Sequence, residues 1–176
     1  TSTSKNTLCS RIFVLSALSI AAIRCDSPCL RFTRFGGLTI ANIRFDMTRM
    51  SLMIVDAGDS SNSNNVFVNF TDVSVTGAQP TLLVLRTNAK VLLTRVSGQF
   101  DRVVRAYEDA ASISELDVNT CNLTSTASPC FDLRTYSDRS PRRFIVVDTT
   151  FSSTGSFNTA VFKSMLTSDQ RSGLFS

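Results

Sequence analysis

The residues in this chain best suited to binding a ligand are charged side chains. Each is the last residue of a short apolar segment that follows a turn. These residues are Arg34, Asp56, Arg86, Arg105, Arg134 and Lys163. If the segments are parallel strands about 4.8 Å apart, the side chains form a column on one outer face. Like charges that close repel each other unless an acidic ligand or counter-ions lie between them. The column therefore predicts a site for an anionic partner, such as an acidic glycan or a carboxylate-rich protein surface, extended by Arg139, Arg142 and Arg143.

A second interpretation of this column needs no ligand. Arginines on an outer sheet can splay into solvent and pair in part with acidic neighbours, here Asp56, Glu108 and Asp132. Exposed pairs of this kind contribute little stability. Both interpretations are compatible with the spacing of the charged residues.

Three carboxylates at equivalent positions of a repeat could act as a general acid and base, or could hold calcium. They are Asp72, Glu115 and Asp148. Arg95 occupies the same position between the first two, so a column of ion pairs is the structural alternative, and we prefer it. The chain has no histidine, which removes the most common general base and metal ligand. We therefore expect no catalytic residues, no metal site and no cofactor.

Four of the five cysteines occur as two close pairs, and each pair ends in Ser-Pro-Cys. The spacing suggests two local disulfides, Cys25 with Cys29 and Cys121 with Cys130, each fixing a turn. Reduced cysteines packed in the core are the alternative. The spacings do not match those of zinc ligands. Cys9 is left either free or bridged to another chain.

The elements that position these side chains are short strands in a repeated frame, clearest between Gly37 and Phe45. In that frame Ile40, Ile43 and Phe45 are apolar, and Asn42 is a pivot that tolerates a bend between two strands. Alternation with a period of two indicates strands. The pivots recur every 20 to 33 residues, which is typical of a solenoid, and they are Ala22, Asn42, Asp72, Arg95, Glu115 and Asp148.

Composition limits the class of protein. Apolar residues make up 43% of the 176 residues and charged residues 18%, which excludes a disordered chain. We expect one domain over residues 1–176, with coils over about 12–163 and a polar tail over 164–176. A net charge of +4 and only two tyrosines do not favour nucleic-acid binding.

The apolar run over residues 11–23 has two interpretations. It carries the repeated frame and is then the first coil, or it is a retained secretory signal. The run is too short to cross a bilayer, so we expect no membrane span.

The six coils resemble the right-handed parallel β-helix of the pectate-lyase-like superfamily, whose strands turn at an asparagine such as Asn42. The resemblance covers roughly residues 12–163 and implies an all-β fold, a right-handed, single-stranded parallel β-helix of about six coils. The other pivots depart from the asparagine preference, so no stacked amide ladder is expected. The superfamily includes polysaccharide lyases and hydrolases, phage tailspikes and adenovirus-type capsid surface proteins. The resemblance therefore implies a fold more than a function.

Two glycosylation sequons, at Asn69 and Asn122, favour an extracellular or virion-surface location. We expect a non-enzymatic structural or binding module that packs against other protein chains, in a homo-oligomer or a larger assembly. The tailspike-like relatives imply a trimer. The alternative function is an extracellular polysaccharide lyase or hydrolase.

Overall fold

The structure is a computed structural model of the chain. It describes residues 12–16, 22–23, 29–33, 35–47, 53–58, 66–106, 113–126, 130–132, 143–153 and 162–163. In chain order the strands are β1 (Ile12–Ser16), β2 (Ala22–Ile23), β3 (Leu30–Phe32), β4 (Gly37–Met47), β5 (Met53–Ala57), β6 (Val66–Gly77), β7 (Thr81–Leu85), β8 (Ala89–Thr94), β9 (Ser97–Phe100), β10 (Val104–Ala106), β11 (Ile113–Asn119), β12 (Asn122–Ser125), β13 (Phe131–Asp132), β14 (Arg143–Val147), β15 (Thr150–Ser153) and β16 (Phe162–Lys163). A search of the described residues finds no helix long and apolar enough to cross a membrane.

The strands form two parallel sheets, which confirms an all-β fold of stacked coils. The first sheet contains ten strands, and the second contains six, in the order β16-β13-β10-β7-β5-β3. Each coil crosses the first sheet in two arms separated by a bend and then adds one strand to the second sheet. About four turns, within residues 35–132, are described around most of their length. The predicted count of about six is reached only when the short strands at both ends are included.

The core lies between the sheets and is built from alternate residues of each strand. In the first arm, for example, the buried residues Leu38, Val68, Val91 and Leu116 occupy one column in neighbouring strands. Residues between them in sequence face outward, as the period of two requires. Phenylalanines are the largest fully buried side chains of the core, each contributing about 1.5–3 kcal/mol on burial, and they are Phe45, Phe70, Phe100 and Phe131.

The bends between the arms are residues in the left-handed region of backbone conformation. They are Asn42, Asp72, Arg95, Thr120 and Asp148, with φ between 46° and 57°. Four of the predicted pivots are confirmed, Asn42, Asp72, Arg95 and Asp148. Two are wrong. Glu115 lies inside β11, and Ala22 lies in β2, where it pairs with Arg44 beyond the bend. Several polar residues lie between the apolar residues of each coil, and the alternating pattern does not show which of them adopts the left-handed backbone conformation of the bend.

Candidate functional site

The outward column of the second sheet differs from the predicted one. The residues that share this column by strand register are Arg31, Asp56, Val84, Arg105, Asp132 and Lys163. Asp56, Arg105 and Lys163 were predicted, but Arg86 lies two residues beyond Val84. Because the apolar segments end at different points of their strands, the last residue of each segment is not structurally equivalent. The column therefore mixes basic, acidic and apolar residues, and the like-charged ladder is absent from the described residues.

A buried carboxylate holds two of the arginines on this face. The Asp56 side chain is only 3% exposed, and its Oδ1 accepts a hydrogen bond from Arg86 Nε at 2.7 Å. Its Oδ2 accepts one from Arg31 Nε at 3.1 Å. Arg31 is 63% exposed and Arg86 33% exposed. Charge-assisted hydrogen bonds of this kind are stronger than neutral ones, so Asp56 fixes the orientation of both arginines.

A second carboxylate, Asp132, is buried further along the same face. Its Oδ2 lies 3.8 Å from Arg102 Nη1. The Nε of Arg102 is buried and has no hydrogen-bond partner among the described residues. Arg105, which shares the column with Asp132, is exposed. This face therefore carries two buried acidic residues among its arginines, a feature that the outward positions of the sequence did not indicate.

The other predicted members of the anionic site are not brought together. Arg143 belongs to β14 of the first sheet, where its Nη1 lies 3.5 Å from Glu115 Oε1. It is therefore on a different sheet from Arg86 and Arg105. Lys163 is placed by backbone register alone, opposite Asp132. The residues Arg34, Arg134, Arg139 and Arg142 lie outside the described residues.

The predicted carboxylate column forms only in part. Asp72 receives two hydrogen bonds from Arg95, at 2.6 and 2.8 Å, which confirms that pair. These hydrogen bonds hold the pKa of Asp72 below its ordinary value and raise that of Arg95. Glu115 does not join them, because it pairs instead with Lys90 at 2.7 Å on the neighbouring strand. Asp148 occupies the bend of a later coil and is exposed.

The predicted disulfide between Cys121 and Cys130 is not formed, because both thiols are free and buried. Cys121 immediately precedes β12, whereas Cys130 immediately precedes β13 and hydrogen-bonds to Ser125 at the far end of β12. The four residues of β12 span about 13 Å, whereas bridged cysteines need Cα atoms within about 7 Å. Burial raises the pKa of the Cys130 thiol to about 11 and raises that of Cys121. The alternative interpretation, reduced cysteine in the core, is the one these two residues follow.

The remaining cysteine predictions are tested less fully. Cys29 is bonded in a disulfide, but its partner lies outside the described residues, as do Cys9 and Cys25. The pairing of Cys25 with Cys29 therefore stays a prediction. No group of three acidic or cysteine side chains within the described ranges is arranged to hold a metal ion.

Both glycosylation candidates lie on outward positions of strands. Asn69 lies between the buried residues Val68 and Phe70, and its Oδ1 accepts a hydrogen bond from Thr71 Oγ1 at 3.1 Å. Asn122 begins β12 and is exposed. Glycosylation at these residues stays a prediction.

The second arm of the first sheet presents a polar face that the sequence reasoning did not identify. Its outward side chains in four successive coils are polar and uncharged, and they are Ser74, Ser97, Asn122 and Thr150 in one column and Thr76, Gln99, Thr124 and Ser152 in the other. The signal was present in the alternating Ser, Thr, Asn and Gln residues, but it becomes visible only when the coils are aligned on their bends.

The stacked coils, the bends and the outward ladders define the chain as a parallel β-solenoid. Comparisons with protein-family models, with curated proteins and with solved structures found no match.

Proposed function

We propose that this chain is a non-enzymatic structural or binding module of a virion or cell surface, which acts by packing its outer faces against other molecules. One observation carries this proposal. Two of the three carboxylates that could have formed a catalytic centre, Asp72 and Glu115, are held instead in ion pairs between neighbouring coils.

Acid and base catalysis needs two carboxyl groups facing one substrate, at about 5 to 9.5 Å in glycosidases, and the acid needs a raised pKa. Asp72 lies at a bend, whereas Glu115 lies inside a strand of the first arm, five residues before the bend of its own coil. The pKa of Asp72 is lowered by Arg95. These features favour a structural role for both carboxylates.

The outward arginines of the second sheet support an acidic partner as part of this function. Arg31, Arg86, Arg102 and Arg105 share the face with two carboxylates, Asp56 and Asp132. The face is therefore basic even though its carboxylates are paired. A basic face attracts an anionic surface over roughly a Debye length, about 8 Å at physiological salt.

The matched variants Arg105→Glu and Arg143→Glu test this proposal, because they change the net charge equally on different sheets. On heparin–agarose, we expect Arg105→Glu to elute at clearly lower salt than the wild type, and Arg143→Glu to elute close to the wild type. Equal losses would mean that net charge, not this face, determines binding.

An assay on polygalacturonate tests the non-enzymatic part. We expect neither unsaturated products nor new reducing ends to accumulate with the wild-type protein. Turnover that Asp72→Asn or Glu115→Gln abolishes, with the fold intact by circular dichroism, would contradict the proposal and favour the lyase or hydrolase alternative.

A further inference from the structure

We infer that copies of this chain stack end to end, with β14 of one copy docking beside β1 of the next. The inference rests on the proposed function, in which the module packs against neighbouring chains. The partner is a second copy of this chain, and the contact is made by the two edge strands of the first sheet.

The two terminal strands of the first arm are apolar on both faces. The strand β1 begins Ile-Phe-Val-Leu, and β14 ends Ile-Val-Val. Parallel strands with such continuous apolar runs are typically buried on both faces. The inner coils follow a different pattern. Val14 and Ile145 share one outward column, and the positions between them are Thr39, Asn69, Leu92 and Asp117.

The apolar side chains of the terminal strands are exposed. Ile12 is 74% exposed and Val14 67%, and at the other end Val146 and Val147 are each 43% exposed. Val146 continues an inward column in which its neighbour Val118 is fully buried. The core of the solenoid is therefore partly open to solvent beside β14, where a further strand would cover it.

The backbone of the terminal strands shows the same incompleteness. Within the described residues, β1 pairs with β4 alone and β14 pairs with β11 alone. An apolar strand with one free edge is a template for another chain, and a solenoid coil that is not capped leaves its core open.

A second copy fits these two edges in a way that extends the fold. If β14 of one copy lies beside β1 of the next in the register that the inner coils use, Ile145 is placed next to Val14, and Val146 next to Leu15. The contact keeps all strands parallel and buries apolar residues on both sides. It joins two different surfaces, so it is heterologous and does not close after two copies.

Lysine substitutions at the two ends separate this arrangement from its alternatives. Val14→Lys places a charge on the first strand, and Val147→Lys places one on the last. Thr39→Lys is the matched control, because it adds the same charge in the same outward column one coil further in. Circular dichroism and urea unfolding establish that each variant keeps its fold.

Sedimentation velocity over a hundredfold range of concentration gives the readout. We expect the mass of the wild type and of Thr39→Lys to rise with concentration beyond a dimer, and both terminal variants to remain at the 19.2 kDa of the monomer. An equimolar mixture of Val14→Lys and Val147→Lys should form a dimer that does not grow, since only one intact pair of ends remains.

Three outcomes would overturn the inference. A wild type that is monomeric throughout would exclude stacking, and assembly by Val14→Lys alone would show that the contact does not use the first strand. A mixture that stays monomeric would exclude a heterologous contact. None of these outcomes changes elution from heparin–agarose, so failure of the stacking contact is distinguishable from failure of the proposed function.

Discussion

The two arginines that contact Asp56 should contribute very unequally to stability, although both are hydrogen-bonded to the same carboxylate. Arg86 lies closer to it, at 2.7 Å, and is 33% exposed, whereas Arg31 is at 3.1 Å and 63% exposed. Replacing either arginine by methionine keeps most of the aliphatic chain and removes the guanidinium. The comparison therefore isolates the charged hydrogen bond from packing.

The magnitude follows from how well water can replace each guanidinium. Breaking a fully buried ion pair costs about 3–5 kcal/mol, and an exposed pair contributes about 0.2–1 kcal/mol. Arg86→Met leaves an oxygen of a 3%-exposed carboxylate without its closest partner, so we expect a loss of about 2–3 kcal/mol, reduced from the buried value by partial access of water. For Arg31→Met we expect about 0.5–1 kcal/mol.

Urea unfolding followed by circular dichroism measures both effects. With a denaturant slope of about 1–3 kcal/mol/M, Arg86→Met should lower the midpoint by about 0.7–3 M, provided the slope is unchanged. Arg44→Met is the control, because Arg44 is exposed and its Nε donates a long hydrogen bond, 3.4 Å, to Thr76 Oγ1. Equal losses for Arg31→Met and Arg86→Met, or losses no larger than that of the control, would refute the reasoning.

Three further predictions concern the backbone, pH and the thiols. Gly77→Ala should lower the free energy of unfolding by about 1–3 kcal/mol, because Gly77 has φ +89° and a Cβ there would collide with a backbone carbonyl of the neighbouring coil. Gly37→Ala should be nearly neutral, since its Cβ would lie 3.7 Å from the nearest atom. Urea unfolding in which Gly37→Ala is the more destabilised variant would contradict this prediction. Asp72→Asn should lower the urea midpoint at neutral pH. The difference from wild type should shrink as pH falls below about 3.8, because the folded pKa of Asp72 is depressed and its contribution is lost as that carboxylate is protonated; a difference that persists in acid counts against it. Cys121 and Cys130 should react with iodoacetamide at pH 8 far more slowly in the native protein than in urea, since both are buried with raised pKa values; equally rapid labelling, read by peptide mass spectrometry, would show that the core opens there.

The ion pairs show why part of the candidate site was predictable and part was not. The pairing of Arg95 with Asp72 was predicted because both residues are bends of adjacent coils, and bends are aligned by definition. Glu115 was wrongly predicted to be a bend residue. The bend of its coil is Thr120, five residues further along the chain. Asp56 was predicted to be in the outward column, but nothing local to its sequence shows that the side chain is 3% exposed.

The sequence by itself determined the period-two alternation, the short strands and the parallel solenoid, because side-chain hydrophobicity alone decides which residues of a strand face the core. Four bends were also readable, since polar residues interrupt the apolar pattern there. The tertiary structure decided the register between coils, because connections of different length shift each strand relative to its neighbour. Register in turn decides which charges meet, and it replaced the predicted, mostly basic column by a mixed series that includes Arg31, Asp56, Arg105 and Asp132.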